Sequence, residues 1–279
     1  MKYSTFMNLF NVVVIVVLVL GIVGVCHGDG LSKNFYKKSC PLAEQIVQNI
    51  TWTNVASRPF LPAQLLRLAF HDCIVRGCEA SILLDSTTSN TAEKAAPPNL
   101  SLGGFNVIDA IKTQLEINCP DIVSCADIVA LAARDAVSFQ VETGRRDGIV
   151  SLESEALAEL PSPFANFANL KQAFAGKAFL RTKCKGPADT TTNVPMDPGN
   201  GPGFDNHYYT ILKQNEGLFQ SDAALLTDKG ASNDVDEMST VSNDEFFKYF
   251  GHSMKRLGAV GVLTGNSGEI RKICNVINS

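Results

Sequence analysis

Apolar residues recur at helical spacing along most of the chain, and strict alternation is scarce. Pro41 to Ser57 begins with proline at the first helical position and sets Ile46, Val47 and Ile50 on one face. Pro62 to Asp72 carries Leu65, Leu66, Leu68 and Phe70. A stripe of Val107, Ile108, Ile111 and Leu115 stops at Cys119-Pro120, where proline cannot continue a helix. Cys125 to Phe139 repeats the pattern with Ile128, Leu131, Ala132 and Val137. Helices are also predicted over Asn166 to Phe179, Asp205 to Asn215 and Asp244 to Leu257, the last two halted by Gly217 and Gly258. In the last helix Phe246, Phe247, Phe250, Met254 and Leu257 form a core face, and His252 points to water. Cys184 to Gly203 has no period and reads as a long loop, which in a compact domain is functional or out of place. There is no internal repeat, βαβ alternation, phosphate loop or zinc-type CxxC pair. The fold class is mainly α.

The start of the chain follows a different pattern. Val12 to Val25 is apolar and broken only by glycines, after a weakly basic Met1-Lys2 and before the small residues Cys26 and Gly28. This reads as a secretory signal peptide, residues 1–28, with cleavage near Gly28. The alternative is a signal anchor, but the run is shorter than the ~20 apolar residues of a spanning helix. No other stretch is able to span, so no membrane contact is expected after cleavage. Residues 29–279 suffice for one domain or two closely packed lobes. A net charge of −4 gives no footprint for nucleic acid or an anionic membrane. Eight cysteines behind a signal peptide argue for disulfides. Cys26 leaves with the leader, so an odd number remains and at least one thiol is unpaired or bonded to another chain.

The densest chemistry is Arg67-Leu68-Ala69-Phe70-His71-Asp72-Cys73, followed by Gly77-Cys78-Glu79-Ala80-Ser81. Arg67 and His71, four residues apart, share a helix face. A neutral imidazole can move a proton between the two oxygens of a peroxide, and a guanidinium beside it stabilises charge on the leaving oxygen. Such a pair alone is more often structural. Asp72, Glu79, Ser81 and the carbonyls of Val75 and Gly77 offer hard oxygens that suit calcium. The competing reading is a polar helix end pinned by Cys73 and Cys78.

Together with further motifs, these residues resemble the secretory plant peroxidases, the class III haem peroxidases. The motifs are Asn34-Phe35-Tyr36 to Cys40-Pro41, Arg67 to Asp85, Glu93-Lys94 with Pro98-Asn99, and Asp121 to Asp127. Gly144 to Asp147, Leu160 to Phe164, Phe204-Asp205-Asn206, Ser221-Asp222, Leu263 to Gly265 and Gly268 to Arg271 follow in family order. The resemblance implies a plant haem-peroxidase fold with distal and proximal helical lobes around a haem b cleft. It implies oxidation of small phenolic donors by hydrogen peroxide, in the extracellular space or cell wall. His71 would be the distal acid–base catalyst, Arg67 the transition-state stabiliser and Asn99 the partner orienting His71. Pro161 would line the donor edge. Asp72, Val75, Gly77, Glu79 and Ser81 would hold a distal calcium, with Glu93 acting through water. Cys40–Cys119, Cys73–Cys78 and Cys125–Cys274 would be bonded. Of two glycosylation sequons, Asn49 is a better acceptor than Asn99, a pocket residue.

The chain departs from that family where Ala175-Gly176-Lys177-Ala178-Phe179 runs directly into Leu180-Arg181-Thr182-Lys183-Cys184. The intervening family block carries the proximal haem histidine, so no axial ligand is identified. A smaller block is missing between Gln140 and Val141, where the family has a Gly-Pro-x-Trp type segment. Asp197, Asn200 and Asp205 match an incomplete proximal calcium site. Asp222 matches the carboxylate that would orient the lost imidazole, and Cys184 lacks its partner. Glu79 replaces an aspartate, and Gly103 an arginine. His207 and His252 read as satisfied or surface histidines, and His27 leaves with the leader. The expected product is a secreted peroxidase, monomeric or a Cys184-linked dimer. The alternative is an impaired or inactive homologue or splice product without productive haem binding.

Overall fold

The computed structural model describes residues 30–160, 196–201 and 203–279. The signal peptide, the Asn166 to Phe179 helix, Pro161, Cys184 and most of the expected loop fall outside the described residues. Helices α1 (Ala43–Ser57), α2 (Leu61–Val75), α3 (Phe105–Asn118) and α4 (Cys125–Val137) form one packed unit. Shorter α5 (Glu153–Glu159), α6 (His207–Lys213), α7 (Gln220–Ala224) and α8 (Lys229–Met238) precede the long α9 (Asn243–Leu257). Extended pairing among the described residues is limited to the antiparallel bridges Ser32–Thr143, Arg146–Leu263 and Asp147–Glu269. The mainly α reading holds.

The centre is α4, which packs on α1, α2 and α3. The Ser124 hydroxyl caps it by accepting from the Asp127 amide at 3.1 Å. Its stripe of Ile128, Leu131, Ala132 and Ala133 is fully buried. Leu61, Leu65 and Leu68 of α2 and Ile108, Ile111 and Leu115 of α3 meet it in the same core. The helix ends at Ser138, in the left-handed region with φ 57°. Pro41 lies in the turn before α1 rather than at its first position.

The three expected disulfides are present. Cys40–Cys119 ties the turn before α1 to the end of α3. Cys73–Cys78 closes the loop after α2. Cys125–Cys274 spans 149 residues and anchors the C-terminal segment at the start of α4. Beside it the fully buried Arg271 donates to the carbonyls of Cys274 and Ala80, each at 2.7 Å. Its backbone amide donates to Asp147 Oδ2 at 2.8 Å.

The last helix differs in part from its expected core face. Phe246 is buried and meets Phe204 at a tilt and Tyr209 edge-on, whereas Phe247 stacks on Phe204 but remains exposed. Five residues that share a loose apolar stripe subtend a wider arc than the surface α9 covers.

Candidate active site

Pro62 in the first turn starts α2, and Gly77 at φ 101° turns the chain after it, which fixes how far Arg67 and His71 project. A Cβ at Gly77 would strike the backbone of Gly261, so the turn is closed to larger residues. Arg67 Nε donates to His71 Nε2 at 3.2 Å. On its far side His71 Nδ1 lies 2.6 Å from Asn99 Oδ1. Because Nε2 accepts, the ring proton sits on Nδ1 and is donated to the Asn99 carbonyl oxygen. The Asn99 amide in turn donates to the Glu93 carbonyl at 2.8 Å. This chain of bonds sets the tautomer and leaves the lone pair of Nε2 directed at the Arg67 side.

Arg67 is fixed from its other face. Its guanidinium donates to the Pro98 carbonyl at 2.9 Å and to Ser101 Oγ at 3.0 Å. Ser101 is a contributor that sequence reasoning missed, since it read only as part of a sequon. Burial pulls the His71 pKa below its ordinary value. The Asn99 hydrogen bond opposes this, and the charge of Arg67 adds to it. The imidazole is therefore held as a neutral base. Burial likewise lowers the Arg67 pKa, from a value too high for its charge to be lost.

Behind this face the predicted oxygen cluster lies buried. Asp72 Oδ2 accepts from the Ala80 amide at 3.0 Å. Asp72 Oδ1, Glu79 Oε1, Ser81 Oγ and both carboxylate oxygens of Glu93 have no hydrogen-bond partner. Burial pushes the Asp72 carboxyl well above its usual range, and the charges of Glu93 and Glu79 push it further. Burial also raises Glu79, and brings Glu93 up to about 7. The Ser81 hydroxyl leans toward both glutamates and partly offsets this, without good bonding geometry to either. Gly148 is a second contributor that went unrecognised, because a Cβ there would occupy the place of the Glu79 carboxylate. Among the described residues no group of three or more His, Cys, Asp or Glu side chains is placed to hold a metal ion.

Asp197, Asn200 and Asp205 do come together, but they bond one another. Asn200 Nδ2 donates to Asp205 Oδ2 at 2.7 Å, and the His207 amide donates to Asp205 Oδ1 at 2.9 Å. His207 Nδ1 lies 2.6 Å from Asp197 Oδ1, so this histidine is a satisfied one. Asp222 has a partner too, since Tyr208 donates its phenol proton to Oδ1 at 2.6 Å. Burial and the Asp222 charge push the Tyr208 pKa far above its ordinary value, so the phenol keeps its proton. His252 is exposed, as expected. Asn49 is exposed on α1, whereas Asn99 is buried and bonded.

A peroxidase family model matches residues 47–180 and 176–241, and so spans α2, which carries Arg67 and His71, and the short turn Pro97–Asn99. The chain belongs to the peroxidase family. Curated relatives agree with this placement. Peroxidase 3 of Arabidopsis thaliana is 41% identical over 313 aligned positions, covering 93% of this chain and 95% of its own length. Peroxidase 56 of the same plant is 41% identical over 90% of this chain and 91% of its own. Peroxidase 27 is 42% identical over 90% and 94%. Peroxidases are oxidoreductases that act on peroxide, and among the described residues of this one no helix is long and apolar enough to cross a membrane.

Proposed function

We propose that the protein is a secreted peroxidase that oxidises small phenolic or aromatic donors with hydrogen peroxide at the Arg67–His71–Asn99 face. The observation carrying this reading is the chain of bonds from Arg67 Nε through His71 to Asn99 and Glu93. It presents a neutral imidazole nitrogen beside a fixed positive charge. His71 Nε2 takes the proton of an incoming peroxide oxygen once that oxygen displaces Arg67 Nε. It returns the proton to the departing oxygen, while Arg67 stabilises the developing negative charge. Asn99 holds the ring through Nδ1 and keeps the imidazolium form accessible. Pro161 is assigned to the donor edge.

Haem is the group the family implies, and it supplies the redox chemistry of O–O cleavage when bound. The distal residues fit it. The proximal side does not, because the chain has four histidines and none is left for the iron. His71 is the base, His207 is bonded to Asp197, His252 stands in solvent on α9, and His27 belongs to the leader. Tyr208 takes the carboxylate of Asp222 that would orient an axial imidazole. An internal shortening would account for this, and it is supported by the division of the family match at residues 176–180 and by an alignment of 313 positions for a sequence of 279 residues. These observations favour the impaired homologue as the second reading. Refolding the mature chain with haemin and calcium separates the two. A Soret band with peroxide-dependent oxidation of a phenol supports the enzyme, and haem taken up without turnover supports the impaired form.

Calcium is assigned to Asp72, Glu79, Ser81 and the carbonyls of Val75 and Gly77, with Glu93 acting through water. The support is the set of buried oxygens without a proton donor, a costly arrangement that a cation relieves. Only two carboxylates bind directly in this assignment. Calcium at about a hundredfold excess over its dissociation constant is expected to raise the melting temperature by about 5–10 °C, and Glu79→Gln to reduce that rise. Differential scanning calorimetry with and without chelator checks this, and an unchanged melt removes the site. Asn49 is the assigned glycosylation acceptor.

A further inference from the structure

A hollow of 860 Å³ lies between α4, the link Phe139 to Glu142, and α9. Ala69 of α2 and Ala126, Ala130 and Ala133 of α4 make its floor, and Met254 and Leu257 of α9 face them. Positions 126, 129, 130 and 133 fall on one helix face, so three alanines and Val129 stand where a packed helix pair would interdigitate larger side chains. A second hollow of 610 Å³ opens on the other side of the same link and shares Phe139, Gln140, His252 and Lys255 with the first. The last helix thus stands off α4 on both sides of a link too short to fill the gap. Protein interiors do not keep this much apolar volume, whereas ligand sites of about 300–1,000 Å³ do. Arg67 and His71 line neither hollow.

The rim of the larger hollow is cationic. Exposed Lys255 and Arg256 stand there with His252 and the carboxylate of Glu142, while the second lining carboxylate, Asp72, is buried at the α2 side. Lys255 is paired with Glu142 at 3.1 Å, and Arg256 has no ion pair among the described residues. At the inner end the Arg145 guanidinium is committed to Asp127 and to the Gly258 carbonyl. The geometry points to a binding site for a small aromatic anion. Its apolar body of two or three rings lies on the alanine floor between α4 and α9, and its carboxylate or sulfonate reaches Arg256.

Fluorescence titration of the full chain with 8-anilinonaphthalene-1-sulfonate tests the site. One saturable, blue-shifted binding event is expected. Ala130→Phe, which fills the floor, should weaken it by roughly tenfold or more. Arg256→Gln should weaken the sulfonate by roughly threefold or more while sparing the uncharged N-phenyl-1-naphthylamine. Many weak sites indifferent to Ala130→Phe would overturn the proposal, and so would no binding at all, which would mean that another part of the chain fills the space. If Ala130→Phe loses its helical circular dichroism, Val141→Trp fills the same hollow from the link side and must give the same loss.

Discussion

Replacing His71 by alanine is expected to lower peroxide turnover by about three orders of magnitude, within the range for loss of a positioned acid–base group. The side chain sits between Arg67 Nε and Asn99 Oδ1, and no other described residue offers a basic nitrogen there. Arg67 cannot replace it, since a guanidinium does not give up its proton near neutrality. The measurement is the initial rate of phenol oxidation by the haemin-reconstituted protein over a range of peroxide concentrations. Arg67→Leu should cost about two orders of magnitude, because charge stabilisation is lost while the base remains. The pH profile separates a catalytic role from a merely structural one. Burial, with help from the charge of Arg67, holds His71 below its ordinary pKa, so the neutral form persists into more acid solution than for a free imidazole. The acid limb of the rate should therefore lie below the usual histidine range. In Asn99→Asp a carboxylate would stabilise the imidazolium and move that limb upward. Turnover that survives His71→Ala would remove the site assignment.

The second large effect is on stability. Asp127→Ala is expected to cost about 4 kcal/mol or more, a large part of the 5–15 kcal/mol typical of a domain. Asp127 is fully buried in α4 and accepts from Tyr36 Oη at 2.6 Å, from the Gly144 amide at 2.7 Å and from Arg145 Nη1 at 2.8 Å. Truncation leaves the Arg145 guanidinium as an uncompensated charge with almost no exposure. It also strands the Tyr36 phenol, whose pKa burial and the Asp127 charge push far above its ordinary value. Asp127→Asn should cost less, because an amide oxygen still accepts one of these bonds. Urea unfolding followed by circular dichroism gives the difference, and a loss below about 1 kcal/mol would show that the network is dispensable.

The Arg67–His71 face was legible because a four-residue spacing on a helix is a fixed geometric statement. The same holds for α1 to α4, where leucine, isoleucine and valine mark one side so strongly that tertiary packing only completes the pattern. The supports of the site were harder to read. Ser101 and Gly148 act through contacts from loops, and nothing local in their sequence marks either. Helices α5, α7 and α8 went unforeseen because their turns are short and mostly polar; in α8 only Val235 is buried. Phe247 was placed in the core by its neighbours in sequence, but whether a flank of an apolar arc is covered depends on what packs beside it. The bond between Tyr208 and Asp222 was illegible for a related reason: a carboxylate that matches a family pattern gives no sign of which partner it takes once the usual one is gone.

The Cys125–Cys274 bond also bears on the order in which the protein is made. Its two halves lie 149 residues apart. During synthesis α4 emerges early, but its first residue cannot be locked until Cys274 has been made, nor Ala80 bonded until Arg271 has. Cys40–Cys119 and Cys73–Cys78 have no such wait. A nascent chain should therefore pass through a stage with two closed bridges and an open Cys125 thiol. A ribosome-bound chain arrested before Cys274 is the form in which that thiol would be trapped by an alkylating reagent.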